Sequence, residues 1–299
     1  GPRIYVSLND TSVVDANGNI ALSTSSPNTV EIDAKDTSSV RLARNFLRGT
    51  PKYGIVSFNA KSTLVLNGES YLQSLASSAG DGGDSIRYQN IIVNNTKITS
   101  PQVTLGGPVF VNGNLYLKDG IVGTSSSNLL TLGNTATLKG GSDTSFVDGP
   151  MKKIGNTAFT FPVGDGDNYQ PISISAPGSS TDAYTAEYIH QDPDGAYSRS
   201  LRDSTLDNIS STEYWSLERT SGSAGVFPTI GWNNQSECIY NIDSIRMARW
   251  NGSQWANYGN STTTGTESEG TLSADSTIQH DTNILTYANV FPPLGIKDL

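Results

Sequence analysis

Between Tyr53 and about Gly155 the chain is cut into apolar runs too short to shelter themselves: GIVSFNA, STLVLNG, SIRYQNIIVNN, TKITSPQVTLGG, PVFVNGNLYLKDG, IVGTSSSNLLTLGN, TATLKGG and TSFVDGPMKKIG. Apolar residues fall on every second position, the period of a strand, and Gly, Asn, Asp or Ser separates one run from the next. A run of about 4–6 residues cannot bury its face alone and needs stacked neighbours to do so. The pattern therefore predicts a right-handed parallel β-solenoid, a β-helix-like stack whose Val, Leu and Ile residues fill a narrow core. A meander of hairpins is the alternative, and Asn67-Gly68 and Asn112-Gly113 would serve its turns equally well.

The flanking segments read differently. The first stretch, RIYVSLNDTSVVDANGNIALSTSSPNTVEIDA, is broken at Asp15-Ala16-Asn17-Gly18-Asn19, and Asn-Gly supplies the positive φ of a tight hairpin. Ser39 to Leu47 (SVRLARNFL) is the one place that suits a short helix or a capping turn. Asn156 to Asp167 (NTAFTFPVGDGD) reads as a join, and beyond it the runs lengthen: YQPISISAP, AYTAEYIHQ, TEYWSLERT, VFPTIGWNN, SIRMARWNGSQWANYG, GTLSAD and NILTYANVF. Roughly seven strands with turns between them make a β-sandwich, Ig-like or jelly-roll-like. RMARWNGSQWANYG is a hairpin turning at Asn251-Gly252. The expected division is an expression scar at Gly1-Pro2, a solenoid with an N-terminal hairpin or cap over 3–155, and a sandwich over 156–299. The chain is all-β.

Composition narrows the function. A formal charge of −9 and a pI near 4.7 argue against nucleic acid, whose phosphates need clustered Lys and Arg. Arg41, Arg44 and Arg48 share one stretch, but Phe46 is the lone aromatic among them and there is no alternation of basic and aromatic residues. No apolar run approaches the ~18 residues of a membrane span, so no membrane insertion is expected. Cys238 is the only cysteine, which leaves no disulfide framework or thiolate cage. With no histidine near it in sequence, it reads as a small buried hydrophobe. Scarce Cys with abundant Ser and Thr is compatible with an extracellular or outer-cell-surface location.

A family resemblance rests on GGPVFVNGNLYLKDGIVGTSSSNLLTLGNTATLKGG, then SFVDGPMKKIGNTAFTFPVGDGDNYQPISIS, then TEYWSLERTSGSA and MARWNGSQWANYG. In this order, from roughly Ser85 to Phe291, they resemble a module of very large secreted Bacteroidetes surface proteins and adhesins, often cargo of type IX secretion. There a solenoid-like stretch ends in a "gp…FPVGd…y.P" element and passes into an "EYW" sandwich. The resemblance implies surface display and adhesive or stalk roles, sometimes beside carbohydrate-active enzymes, and implies no catalytic residues. Such proteins usually end in a sorting domain. The ending Lys297-Asp298-Leu299 carries no such signature, so the chain is expected to be part of a longer one.

Candidate sites are few. The only histidines, His190 and His280, lack ligand-spaced partners and read as structural or solvated. Solenoid hydrolases and lyases work with carboxylates, but the acidic residues between Tyr53 and Gly140 are Glu69, Asp81, Asp84 and Asp119, in or beside glycine turns where Asp bonds the backbone. Calcium is the candidate cofactor, through Asp165 and Asp167 in Asp165-Gly166-Asp167-Asn168 and Asp192 and Asp194 in Asp192-Pro193-Asp194-Gly195, with Asp15 to Asn19 as a third cluster. None completes an EF-hand loop, and ordinary Asx turns explain each as well. Trp250, Trp255 and Tyr258 are the candidate glycan-stacking residues, with hairpin packing as the competing explanation; Trp215 and Trp232 belong to the sandwich core. Asp84-Ser85-Ile86 and Asp243-Ser244-Ile245 look like the O-glycosylation triplets of secreted Bacteroidetes proteins. The expected function is a non-catalytic structural and adhesive segment with a surface glycan or a host or cell-surface molecule as partner. The alternatives are a carbohydrate-binding module and, behind it, a glycan-cleaving solenoid enzyme.

Overall fold

The structure is a computed structural model that describes residues 3–8, 10–16, 20–22, 29–34, 39–42, 46–48, 55–58, 61–75, 86–279 and 282–291. It is nearly all β, and the chain divides into two compact units, Gly1–Gly155 and Asn156–Leu299.

The first unit is a parallel solenoid. Along one face Val14 pairs with Val40, Val40 with Leu64, Leu64 with Ile91, Ile91 with Leu115 and Leu115 with Leu138, so each coil returns after about two dozen residues. A second face stacks Gln73–Leu75, Val103–Leu105, Val122–Gly123 and Val147–Asp148. A third carries Arg3–Leu8, Thr29–Ala34, Ile55–Phe58 and Ile86–Arg87, then Val109–Val111, Leu130–Leu132 and Met151–Ile154; the parallel pairing of Tyr88 with Val111 joins the two series.

The period-two pattern explains the core. Leu64, Ile91 and Leu115, with Leu66, Val93 and Leu117, point inward on the first face, and Val103, Val122 and Val147 on the second. Each buried side chain of this kind contributes about 1.5–3 kcal/mol. Phe58 stacks on Tyr88 with ring centroids 5.7 Å apart.

Two polar ladders run between the coils. Asn90 Nδ2 donates to the Ser62 carbonyl at 2.9 Å, and its Oδ1 accepts from Asn114 N at 2.9 Å and Asn114 Nδ2 at 2.7 Å. Thr137 Oγ1 then donates to Asn114 Oδ1. In the second, Gln73 Oε1 accepts from Asn95 Nδ2 at 2.9 Å, Gln102 Oε1 accepts from Ile121 N at 2.7 Å, and Ser145 Oγ donates to the Gly120 carbonyl at 3.1 Å. At the end of the third face Lys153 takes the place of an inward hydrophobe above Leu132, and its Nζ donates to the carbonyls of Gly133, Asn134 and Ile154 at 2.6, 3.0 and 2.7 Å. Burial pulls this ammonium down to about 8.

Three sequence readings change here. The N-terminal hairpin is replaced by parallel pairing, because Arg3–Leu8 lies beside Thr29–Ala34, Val13–Ala16 beside Ser39–Leu42, and Ile20–Leu22 beside Phe46–Arg48. Asn17 to Asn19 lie outside the described residues. The stretch Ser39 to Leu47, suited in sequence to a short helix or a capping turn, carries instead the strands Ser39–Leu42 and Phe46–Arg48, with 43–45 outside the described residues. Val40 is buried over Leu64, and burial against a neighbouring coil outweighs local propensity. The meander also gives way. Gly113 N donates to the Gln89 carbonyl of the previous coil at 2.7 Å, and a Cβ at Gly113 would lie 2.6 Å from Asn90 Oδ1. This glycine serves close coil stacking.

The second unit is antiparallel. One sheet carries Ala183–Ile189, Tyr214–Ser221, Thr282–Val290, Ile245–Trp250 and Trp255–Asn257 in that order, with Leu206–Ile209 also pairing with Thr282–Val290. The other carries Phe159–Phe161, Ile172–Ile174, Pro228–Trp232, Gly270–Ser273 and Thr262–Gly265. Trp215, Leu217, Met247, Leu285 and Tyr287 of the first sheet and Phe161, Ile172, Ile230 and Leu272 of the second are all buried. Trp232 reaches across to Tyr287 at 6.3 Å, and Trp215 meets Tyr287 edge-on at 5.3 Å. The hairpin at Asn251-Gly252 forms, with Trp250 opposite Trp255 and Gly252 at φ +100°.

Candidate functional site

The sequence-selected residues of the second unit occupy separate places. Trp250 and Trp255 meet edge to face, with centroids 5.7 Å apart and planes at 70°. Trp255 is fully buried and its Nε1 donates to the Tyr197 carbonyl at 3.1 Å. Tyr197 packs on both rings and, with Leu206, Ile209, Ala248, Ile284 and Ala288, forms a second small core on the outer face of the long sheet. Arg249 and Trp250, consecutive on one strand, point to opposite faces. Tyr258 goes with Arg249, whose guanidinium lies 5.3 Å from the ring centroid and donates to the phenol oxygen at 3.1 Å. The three aromatics therefore do not form one platform.

The aspartates are held by turns. Asp165 pairs with Asn168 across Gly166-Asp167, where Gly166 has φ +64°, and its Oδ2 accepts from His190 N at 3.0 Å. Asp192 caps a single 3-10 turn through Asp194 N at 2.9 Å and forms an ion pair with Arg199 at 2.9 Å. Asp194 Oδ1 accepts from Arg199 N at 2.7 Å. Among the described residues no three His, Cys, Asp or Glu side chains gather where a metal could sit. His190 is exposed, 2.9 Å from Asn168 Nδ2. Asp81, Asp84, Ser85 and His280 lie outside the described residues.

Glu213 opens the EYW element, and nothing in the sequence around it marks it as a site residue. It is 1 % exposed, and its Oε2 accepts from Tyr188 OH at 3.0 Å. Burial pushes the carboxyl up to about 7, against the hydrogen bonds of Ser236 and Tyr188 and with the neighbouring charge of Glu237. Closed to solvent, it is a structural acid at the sandwich end. Cys238 is likewise buried, and burial pushes its thiol up to about 11, so it is a poor nucleophile.

The open site lies elsewhere in this unit, in a cavity of about 710 Å³ bordered by Asp207, Asn208, Tyr240, Asp243, Arg246 and Phe291. Ligand pockets commonly span ~300–1,000 Å³. Its walls are fixed by local chemistry. The pairing of Leu206–Ile209 with Thr282–Val290 slips between Leu206 and Asn208, and this bulge leaves Asp207 without a ladder partner. Asn289 Nδ2 donates to Asn208 Oδ1 at 2.9 Å and to the Cys238 carbonyl at 2.6 Å. Cys238 sits at φ +70°, a conformation rare for a non-glycine residue and held here by Asn289. Asn241 Oδ1 accepts from Asp243 N at 2.8 Å, closing an Asx turn that presents Tyr240 and Asp243. Ser244 of the Asp243-Ser244-Ile245 triplet donates to the Asn241 carbonyl at 2.9 Å and to Asn289 Oδ1 at 3.0 Å.

Comparison with protein-family models, curated proteins and solved structures finds no match to this chain. A smaller cavity of about 310 Å³ adjoins the first and shares Asp207 and Asn208 with it, adding Arg199 and Arg202 to the lining. Sequence patterning could not have found this site: Asp207 is turned to the groove by a bulge, Tyr240 is exposed by a turn, and Phe291 by its place at the end of a strand.

Proposed function

We propose that the chain is a non-catalytic structural and adhesive segment of a secreted protein on the outer surface of a bacterial cell, of the kind exported by type IX secretion in Bacteroidetes. What supports this reading is how the solenoid uses its buried polar side chains. Asn90, Gln73, Gln102 and Ser145 spend their hydrogen bonds on backbone or side chains of adjoining coils and loops. Such a stack is built for cohesion, since each coil buries its core against the next.

Two measurements test it. Antibody against this chain should label intact cells of the source organism; label seen only after permeabilisation overturns the surface assignment. Reducing-end assays over a polysaccharide panel should show no release by the purified chain, and robust release overturns the non-catalytic assignment in favour of a glycan-cleaving solenoid. A second reading, a carbohydrate-binding module, is favoured by the open groove of the second unit, where exposed rings stand beside polar side chains.

A further inference from the structure

We propose that the groove bordered by Tyr240, Phe291, Asp207, Asn208, Asp243 and Arg246 binds a neutral oligosaccharide. This rests on the carbohydrate-binding reading and moves its site away from the Trp250–Trp255 hairpin. A sugar ring offers an apolar C–H face and a rim of hydroxyls, and a groove that holds one needs exposed aromatic surface beside unspent hydrogen-bonding groups. Both are present. Tyr240 is 72 % exposed and Phe291 53 %, and both border the cavity.

The polar groups beside them are unspent. Among the described residues the carboxylates of Asp207 and Asp243 and the Nδ2 of Asn208 have no hydrogen-bond partner, whereas Asn208 Oδ1 is anchored by Asn289. The groove thus offers two free acidic acceptors and one oriented amide donor to hydroxyl groups. Arg246 donates to the carbonyls of Asp243 and Ile245 at 2.9 and 2.7 Å, which fixes the guanidinium at the groove wall.

The same groups select against other occupants. A lipid chain or an apolar peptide face would strip water from two carboxylates and give them no hydrogen bond in exchange. A uronate polymer would bring its own negative charges to Asp207 and Asp243, while the neighbouring cations are already engaged: Arg246 and Arg202 donate to backbone carbonyls and Arg199 pairs with Asp192. The adjoining smaller cavity extends the lining past Asp207 and Asn208 and leaves room for a chain of several sugar units.

The test is isothermal titration of the intact chain with cellohexaose, xylohexaose, mannohexaose and laminarihexaose, and with hexagalacturonate as the acidic counterpart. At least one neutral hexaose should bind with a Kd between about 10 μM and about 1 mM. Tyr240→Ala and Asp207→Asn should each weaken that binding about tenfold or more, with the unfolding midpoint held within about 2 °C because neither side chain is buried or bonded. Neutral binding undiminished in Tyr240→Ala, Phe291→Ala and Asp207→Asn overturns the groove while leaving the carbohydrate-binding reading in place. Absence of binding by every neutral hexaose overturns both, and a preference for hexagalacturonate overturns the neutral assignment.

Discussion

Asn90→Ala tests whether the polar ladder holds the coils together. Asn90 is 7 % exposed, and the substitution removes three hydrogen bonds: its own to the Ser62 carbonyl, and the two that its Oδ1 accepts from Asn114. Each such bond is worth about 1 kcal/mol net, and buried partners left unsatisfied cost more, so the expected loss is about 3 kcal/mol. For a unit of this size about 2–4 °C accompanies each kcal/mol, which gives a fall of roughly 6–12 °C in the solenoid's midpoint. The four tryptophans, Trp215, Trp232, Trp250 and Trp255, all belong to the second unit, so their emission reports on that unit. Far-UV circular dichroism should show the early melting. Thr137→Ala, at the exposed end of the same ladder, should cost less than about 1 kcal/mol. A fall below about 2 °C for Asn90→Ala, or equal losses for the two variants, refutes the argument that burial gives the ladder its weight.

Further expectations concern the second unit. The folded Glu213 carboxyl keeps its proton up to about pH 7, whereas the unfolded one loses it near 4.5. The folded state therefore binds more protons between these values, and stability falls by about 3 kcal/mol as pH rises through that window. Glu213→Gln should remove this component, so urea midpoints by tryptophan emission at pH 5 and pH 8 should lie closer together in the variant; identical slopes with and without the carboxyl refute it. Trp255→Ala should destabilise the unit by about 3–5 kcal/mol, since a buried ring and its bond to Tyr197 are lost, and a variant with an unchanged denaturation midpoint would show that the ring is not core. Calcium at millimolar concentration should leave the melting temperature within about 1 °C, because Arg199 and backbone amides already hold Asp165, Asp192 and Asp194; a larger rise refutes the turn-only account.

The solenoid was legible because its signal is local. Alternation in STLVLNG or PVFVNGNLYLKDG marks strands, and their brevity demands stacking whichever way the chain turns between them. The ambiguous feature was Asn-Gly, which serves a hairpin or a corner alike. At Asn112-Gly113 the decision falls to a neighbour, Asn90, that lies a whole coil away and takes the space a Cβ would need. Val40 shows the same limit: SVRLARNFL suits a helix only until Leu64 is placed beside it.

The sandwich concealed more because its central strand is not half-buried. Thr282–Val290 carries an unbroken run of buried residues, since one side faces the Trp215–Tyr287 core and the other faces Leu206, Ile209 and Trp255. A strand covered on both sides loses the alternation that would separate inside from outside. The segment from Tyr197 to the strand Leu206–Ile209 supplies the second cover, and it consumes the hairpin tryptophan that would otherwise be the natural ring for a ligand. Where that cover ends, at the bulge of Asp207, the sheet opens toward Tyr240 and Phe291. The groove and the buried Trp255 thus have one cause: a single stretch of chain, ending in the strand Leu206–Ile209, hides one set of aromatics beneath it and leaves another at its margin.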